Sequence, residues 1–187
     1  MLLTTTTTAE TYLDFERNSI DRHEYLFQTI IPMAGASQKH NFIAGNLFAL
    51  IWFHLRQTPH AVYQNDMRTH NPINNSYMYP DVVVSDGKPK LKADDATDNL
   101  INPLIIIEIL SPTTAVYDKS DKFIACRSIP SLQEYVLVSA SLPDIEIYQR
   151  TEDDQWILVK QNQSDMPFTL SSIGFSCSMN DIYQTKE

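Results

Sequence analysis

The stretch Asn102–Lys122, NPLIIIEILSPTTAVYDKSDK, carries the strongest structural signal in this 187-residue chain. Its apolar run Leu104–Ile107 lies between Pro103 and Ser111-Pro112, a pattern typical of a strand buried on both faces rather than a short helix. Glu108 follows that run directly. A carboxylate inside such a run is costly to bury unless a metal, a cation or hydrogen bonds compensate it. The sequence therefore predicts a partner for Glu108.

A second acidic residue stands beside another β-branched run. Asp81 opens Val82–Val84, within a predicted strand Tyr77–Val84. Two carboxylates at the ends of two buried strands can converge on one site. The usual physical reason for such convergence is a divalent cation.

Length and composition bound the possible architectures. A chain of 187 residues with 43% hydrophobic residues is long enough for one domain with a proper core. We expect a flexible N-terminal tail over residues 1–10, which includes a threonine run, and a single domain over residues 11–187. No apolar run approaches a membrane span, and the N-terminus lacks the pattern of a secretory signal, so we expect a cytoplasmic protein without membrane contact. Cys126 and Cys177 are expected to be small core residues.

The charge balance is acidic. Lys and Arg total 14 and Asp and Glu total 23, which gives a formal charge of 14 − 23 = −9. This is a poor electrostatic footprint for nonspecific nucleic-acid binding, which depends on lysine and arginine. A bound metal together with the loop lysines Lys88, Lys90 and Lys92 could reverse the sign locally. The alternative for these three lysines is a solvated turn.

The hydrophobic pattern predicts an alternation of helices and strands. Ser37 caps the clearest helix, which extends to Gln57. A strand, helix and strand between Leu104 and Val138 predict a parallel crossover, with the helix starting at Ser111-Pro112 and running to about Ser128. The other predicted elements are a helix over 10–17, two short strands around a turn near Gln28, strands over 61–68, 132–139, 145–148 and 156–160, and a tail over 168–183 that completes the sheet edge.

A metal-dependent nuclease site needs two acidic ligands and a lysine that orients hydroxide and stabilises the charge building on phosphorus. The simplest place for that lysine is two residues after Glu108 on the same strand face, but this residue is Leu110. The following helix can supply the cation, because Lys119 and Lys122 both border its packed face at 100° per residue. An ordinary i, i+4 ion pair with Asp118 is the alternative explanation for Lys122.

An ordered series of motifs resembles the family of putative restriction endonucleases, which was first catalogued as a domain of unknown function, is abundant in photosynthetic bacteria and belongs to the PD-(D/E)xK nuclease superfamily. The resemblance spans roughly Tyr12 to Tyr183. The matching motifs are Arg22-His23-Glu24-Tyr25, Met33-Ala34-Gly35-Ala36-Ser37 with His40-Asn41, Tyr79-Pro80-Asp81-Val82, Glu108-Ile109-Leu110-Ser111-Pro112-Thr113-Thr114, Asp118, Lys122-Phe123 and Pro130-Ser131-Leu132-Gln133-Glu134-Tyr135.

The resemblance implies a restriction-endonuclease-like α/β core with a mixed β-sheet flanked by helices. It implies that Asp81, Glu108 and the Ile109 carbonyl hold one or two Mg²⁺ or Mn²⁺ ions, and that Lys122 is the catalytic lysine, moved from the strand to the next helix. The activity it implies is that of a Mg-dependent endodeoxyribonuclease that hydrolyses DNA phosphodiester bonds, and a homodimer is expected.

Three further family positions, Glu24, His40 and Gln133, are matched, and their roles stay open between support of the metal ligands and substrate contact. Phe27-Gln28 departs from the family, which usually has a tight Asp-Gly turn there. Two alternatives remain. The chain could be a catalytically inert binding or regulatory protein with the nuclease fold, or Asp81 and Glu108 could be salt-bridged structural residues.

Overall fold

The computed structural model describes residues 7–93, 98–161 and 166–185. The fold is α/β, with mixed sheets flanked by helices, as predicted. The helices are α1 (Ala9–Asn18), α2 (Gln38–Leu55), α3 (Ala115–Tyr117), α4 (Phe123–Cys126) and α5 (Met179–Tyr183). The strands are β1 (His23–Leu26), β2 (Thr29–Pro32), β3 (Val62–Gln64), β4 (Arg68–Asn71), β5 (Ser76–Met78), β6 (Val82–Ser85), β7 (Asn99–Leu100), β8 (Pro103–Leu110), β9 (Glu134–Ser139), β10 (Ile145–Arg150), β11 (Trp156–Gln161), β12 (Phe168–Leu170) and β13 (Phe175–Cys177).

The main sheet has six strands in the order β11-β10-β9-β8-β6-β3. Strands β8 and β9 are parallel, and the other neighbouring pairs are antiparallel. The parallel connection predicted between Leu104 and Val138 is therefore confirmed. The strands predicted over 145–148 and 156–160 are also present, as the antiparallel pair β10 and β11.

Strand β8 is buried on both faces, which explains its continuous apolar sequence. Ile105 and Ile107 pack with α2 in one core cluster, while Ile106 packs with Phe123 of α4 in another. Glu108 and Leu110 alternate with these residues and so share the face of Ile106. The sheet therefore presents the Glu108 carboxylate to the side covered by the helical segment that follows β8.

A second sheet of five strands, in the order β2-β1-β5-β4-β7, packs beside the first. It arises because two predicted strands are each divided. The strand predicted over 61–68 breaks at Asn65, whose φ is 56°, and the strand predicted over 77–84 breaks between β5 and β6. Both predictions of a continuous strand are wrong. The residue pattern shows that these segments are extended and buried, but it does not show where the chain leaves one sheet and enters the other. Asp81 lies at the second break, immediately before β6.

The helix predicted from Ser111 to about Ser128 is shorter and irregular. It consists of α3, a π-helical turn Asp118–Lys122 and α4. Ser111 Oγ accepts a hydrogen bond from the Thr114 amide at 3.2 Å, before the first helical residue. A π-helical turn is wider than an α-helical one. The helical-wheel positions of Lys119 and Lys122, which assume 100° per residue, therefore do not apply within this segment.

The C-terminal part forms a separate two-stranded sheet, β12 and β13, followed by α5, which packs on α2. The expectation that this part completes the edge of the main sheet is wrong. Asn46 of α2 donates to the carbonyls of Ile182 and Gln184, which ties α5 to the helix layer. Cys126 is buried in the core, and Cys177 packs at its margin.

At the N-terminus, Thr8 caps α1 by accepting a hydrogen bond from the Thr11 amide. Residues 1–6 of the predicted tail lie outside the described residues, and both the tail over 1–10 and the single domain over 11–187 stay predictions. Across the ranges that the structure describes, no helix has the length and apolar character needed to cross a membrane.

Candidate active site

The change of sheet between β5 and β6 positions the first predicted site residue. Val82 pairs with Ile107, so the preceding residue, Asp81, lies beside Glu108. Asp81 Oδ2 accepts a hydrogen bond of 2.7 Å from the Ile109 amide and lies 3.1 Å from His40 Nε2. Both contacts fall on the same carboxylate oxygen.

The second and third predicted residues, Glu108 and Lys122, form a buried ion pair. Lys122 Nζ lies 2.9 Å from Glu108 Oε1, and the two side chains are each 4% exposed. Glu108 Oε1 has no hydrogen-bond partner among the described residues, so its contact with Lys122 is an ion pair. Lys122 Nζ also lies 2.8 Å from Glu24 Oε1 of β1. The carboxylates that pair with Lys122 thus come from two strands, one in each large sheet.

Glu24 is the best-supported carboxylate of the group. Besides Lys122, it accepts hydrogen bonds from the Tyr79 amide at 2.9 Å and from the Tyr117 hydroxyl at 2.6 Å. Tyr79 and Tyr117 belong to the segments that carry Asp81 and Lys122. This carboxylate therefore connects the segment between β5 and β6, the helical segment after β8 and Lys122.

The π-helical turn brings two of its residues into the site. Asp118 and Lys122 are both buried, at 5% and 3% exposure. The Asp118 carbonyl accepts a hydrogen bond of 2.9 Å from the Tyr135 hydroxyl of β9, which fixes the turn against the sheet. The wider turn thus places an acid and a lysine, four residues apart, at the same buried surface.

The electrostatics of the site are dominated by excess negative charge. Burial raises the pKa of the Glu108 carboxyl well above its ordinary value, the Lys122 ammonium opposes this, and Asp81, Asp118 and Glu24 raise the pKa further. Burial also raises the pKa of Asp118. For Lys122, burial lowers the pKa, but the neighbouring carboxylates outweigh it, so the pKa lies well above its ordinary value. The lysine is therefore charged.

His40 is the other nitrogen base of the site. Burial lowers the pKa of its imidazole, but the hydrogen bond and the charge of Asp81 raise it by more, so that the pKa lies above 6.5. Its Nδ1 atom is buried and has no hydrogen-bond partner within the described part of the chain. The backbone amide of His40 donates to the Ser37 side chain that caps α2, which fixes the start of the helix beside Asp81.

The chemistry of these groups fits a divalent metal. The carboxylates of Asp81 and Glu108 are hard oxygen donors of the kind that Mg²⁺ prefers. The N–H and C=O of one strand residue point to the same side, so the Ile109 carbonyl faces Asp81 as its amide does. Over residues 7–93, 98–161 and 166–185, no three His, Cys, Asp or Glu side chains are already arranged around one point. In this arrangement, the positive charge of the Lys122 ammonium balances the negative charge of the Glu108 carboxylate.

The Uma2 family model, described as "Putative restriction endonuclease", matches residues 9–180. The chain belongs to the Uma2 family. Among curated relatives, the uncharacterized protein sll1609 of Synechocystis sp. is 37% identical over 153 residues, covering 82% of this chain and 86% of the relative. The uncharacterized protein slr1290 of the same organism is 31% identical over 175 residues, covering 94% of this chain and 90% of the relative.

A solved structure supports the fold of this Uma2 protein. The crystal structure of a putative nuclease of the DUF820 group from Anabaena variabilis superposes with a TM-score of 0.77. The superposition covers 94% of this chain and 97% of the other at 19% identity. The superposition thus shows the fold, while the family is shown by the family model and the curated relatives.

Of the three family positions left open by sequence, the Uma2 structure brings Glu24 and His40 to the site but not Gln133. Gln133 donates through its backbone to Leu104 and accepts from Arg150, at the opposite end of β8 from Glu108. Tyr117 was missed by sequence reasoning. Its only sequence signal is its place next to Asp118, inside the matched motif series.

Proposed function

We propose that this Uma2 protein is a metal-dependent endodeoxyribonuclease that hydrolyses DNA phosphodiester bonds, with Asp81, Glu108 and Lys122 as catalytic residues. The observation that carries the proposal is the buried Lys122 ammonium at the end of β8, which pairs with both Glu108 and Glu24 while the charges of Asp81 and Asp118 act on the same Glu108 carboxyl. Such an excess of carboxylates is unfavourable for stability alone. Perturbed titratable groups of this kind are typical of catalytic sites.

Asp81, Glu108 and the Ile109 carbonyl would hold one or two Mg²⁺ or Mn²⁺ ions. A metal bound there lowers the pKa of water and neutralises charge on the phosphate. The Ile109 amide and His40 both engage Asp81 Oδ2. These two contacts fix the orientation of the carboxylate before any ligand arrives.

Lys122 takes the role of the lysine that orients hydroxide and stabilises negative charge on phosphorus. Glu24, held by Tyr79 and Tyr117, is a second acceptor for the same ammonium. When Glu108 serves a metal, the Glu24 contact keeps Lys122 in the site. Glu24 and Tyr117 are therefore positioning residues rather than catalytic ones.

For the whole protein, we propose DNA as the substrate, a homodimer as the working assembly and the cytoplasm as the location. The homodimer rests on the superfamily resemblance alone. A second candidate function, a binding or regulatory protein that cuts nothing, is favoured by one observation, the formal charge of −9. Both candidates keep the metal site, so only cleavage separates them.

The test is nicking of supercoiled plasmid in Mg²⁺ or Mn²⁺ by the wild type beside Asp81→Ala, Glu108→Ala and Lys122→Ala. We expect cleavage by the wild type and its loss in all three folded variants. Asp86→Ala, which removes an exposed acid after β6, is the matched control and should cut normally. A wild type that is inert under every metal and salt condition would exclude general DNA cleavage and leave the binding function.

A further inference from the structure

A row of side chains crosses the main sheet from the candidate active site to its edge strand. Glu108 of β8 pairs with Leu137 of β9, Leu137 pairs with Glu146 of β10, and Glu146 pairs with Lys160 of β11. Directly paired residues of neighbouring strands point to the same face. Glu146 and Lys160 therefore share the sheet face of Glu108. With neighbouring strands about 4.8 Å apart, Glu146 lies two strands, roughly 10 Å, from Glu108.

At the far end of this row, two lysines meet on one carboxylate. Lys119 Nζ lies 2.8 Å from Glu146 Oε2, and Lys160 Nζ lies 2.8 Å from Glu146 Oε1. We call these three residues the lysine pair site. Glu146 is only 10% exposed, whereas Lys119 and Lys160 are 40% and 53% exposed. The carboxylate thus lies beneath two ammonium groups that face solvent, and the group carries a net charge of +1.

A pocket of 240 Å³ connects the lysine pair site to the end of β8. Its lining includes Lys119 and Glu146 of the lysine pair site, Leu110 and Ser111 at the end of β8, and a second acid, Asp144. Lys39 of α2 donates to the Ser141 carbonyl at 3.1 Å, which adds a third ammonium at this rim. Leu110, which lines this pocket, directly follows Ile109 in β8. The pocket therefore opens beside the residues assigned to the metal.

We propose that the lysine pair site binds a non-scissile phosphate of the DNA strand that is cut at Asp81, Glu108 and Lys122. The proposal rests on the proposed function and names how this acidic protein holds its substrate. Lys119 and Lys160 contact the phosphate, and Glu146 positions their ammonium groups. A DNA strand rises about 3.4 Å per nucleotide along the helix axis. The separation of roughly 10 Å therefore places this phosphate within a few nucleotides of the cut.

For DNA binding, the position of Lys119 and Lys160 beside the candidate active site matters more than the number of lysines in the chain. Lys119 and Lys122 belong to the same π-helical turn, so one short segment supplies a lysine to the scissile phosphate and a lysine to a non-scissile phosphate of the same strand. The lysines Lys88 and Lys90 are exposed too, but they lie in the loop after β6. Another lysine of that loop, Lys92, donates to the Tyr77 hydroxyl at 2.6 Å. These loop lysines offer a charge-matched comparison within the same chain.

The experiment compares Lys119→Gln/Lys160→Gln with Lys88→Gln/Lys90→Gln. Each double variant changes the formal charge from −9 to −9 − 2 = −11, so only the place of the removed charge differs. Binding of a labelled DNA duplex is measured in EDTA over a range of salt concentrations, and plasmid nicking is measured in Mn²⁺. Thermal unfolding confirms that both variants are folded.

We expect the Lys119/Lys160 variant to bind DNA more weakly, by about tenfold near 0.1 M salt for each phosphate that the protein no longer neutralises, with a salt slope reduced by about 0.9 per phosphate. The KM for nicking should rise while kcat changes little, and the Lys88/Lys90 variant should resemble the wild type. If the wild type binds and cuts DNA but the two double variants weaken binding equally, the lysine pair site is not a phosphate site. The proposed nuclease function then remains. A wild type that neither binds nor cuts overturns both proposals.

Discussion

Lys122 Nζ lies 2.9 Å from Glu108 Oε1, and this pair of side chains is almost fully excluded from solvent. Removing one member of a buried pair leaves an uncompensated charge, which typically costs about 3–5 kcal/mol. We expect Lys122→Met to lower the free energy of unfolding by about this amount, because Glu24 loses its cation at the same time. Urea denaturation at neutral pH measures the change.

The matched control for this prediction is Lys119→Met in the same π-helical turn. Its ammonium is 40% exposed and pairs with Glu146 near the surface. Partly exposed pairs contribute about 1 kcal/mol or less. Equal destabilisation of the two variants would show that burial does not distinguish them, and the description of Lys122 as a buried compensating charge would be wrong.

The pH dependence of stability should report on Glu108. Burial, opposed by Lys122 and reinforced by Asp81, Asp118 and Glu24, raises the pKa of Glu108 well above 4.5 in the folded protein. A raised pKa of an acid contributes stability that is fully present below its unfolded value and is lost as pH rises through the folded value. The wild type should therefore lose stability relative to Glu108→Gln as pH increases above about 4.5, by at most about 1.4 kcal/mol per pH unit.

Chemical denaturation of the wild type and Glu108→Gln across the neutral range measures this difference without any metal. Glutamine has nearly the same shape and does not titrate, so the difference between the two curves isolates the carboxyl group. Parallel curves would show that Glu108 ionises in the folded protein as easily as in the unfolded chain. In that case burial of Glu108 carries no electrostatic cost, and the excess of carboxylates at the site does not destabilise the fold.

Sequence predicted the elements whose cause is local. The apolar run of β8 and the cap at Ser37 are written in neighbouring residues, and both are present. The approach of Asp81 to Glu108 was also foreseen, because acidic residues at the ends of buried strands need a partner. The first two features depend only on composition and on periodic spacing of two, three or four residues.

The remaining features depend on contacts between distant segments. Glu24 reaches Lys122 only because the chain changes sheet between β5 and β6, and periodicity does not encode such a change. The π-helical turn at Asp118–Lys122 has the composition of an ordinary exposed helix, with alternating acids and lysines. Its geometry follows from the buried partners that Lys122 finds. The family resemblance, not the helical wheel, is what singled out Lys122 over Lys119.

His40 should determine how strongly the site binds metal. Its Nε2 lies 3.1 Å from Asp81 Oδ2, and the Ile109 amide contacts the same oxygen. Loss of a group that orients a ligand typically lowers metal affinity about 10–100-fold. We expect His40→Ala to weaken Mn²⁺ binding to this extent, seen as a smaller rise in melting temperature across a Mn²⁺ titration.

Asn41→Ala is the control, because Asn41 is the next residue of α2 and donates to the Ser37 carbonyl instead. It should keep the wild-type response to Mn²⁺. If His40→Ala keeps that response as well, the imidazole does not position Asp81 for a metal. An absence of any Mn²⁺ effect on the wild type would remove the metal site itself.

The hairpin β1–β2 carries strain that can be relieved. Leu26 pairs with Thr29, so Phe27 and Gln28 alone form the turn, with φ of 50° and 65°. Two-residue hairpin turns of this kind favour Asn-Gly or Asp-Gly, because other residues meet a steric cost of about 1–2 kcal/mol at positive φ. We expect Gln28→Gly to raise the free energy of unfolding by about 1 kcal/mol, since the greater freedom of glycine in the unfolded chain offsets part of the gain. Gln28→Ala keeps the positive φ without glycine and should bring no gain. Urea denaturation compares the variants, and a gain with alanine equal to that with glycine would show that the side chain, not the backbone conformation, is the source of the cost.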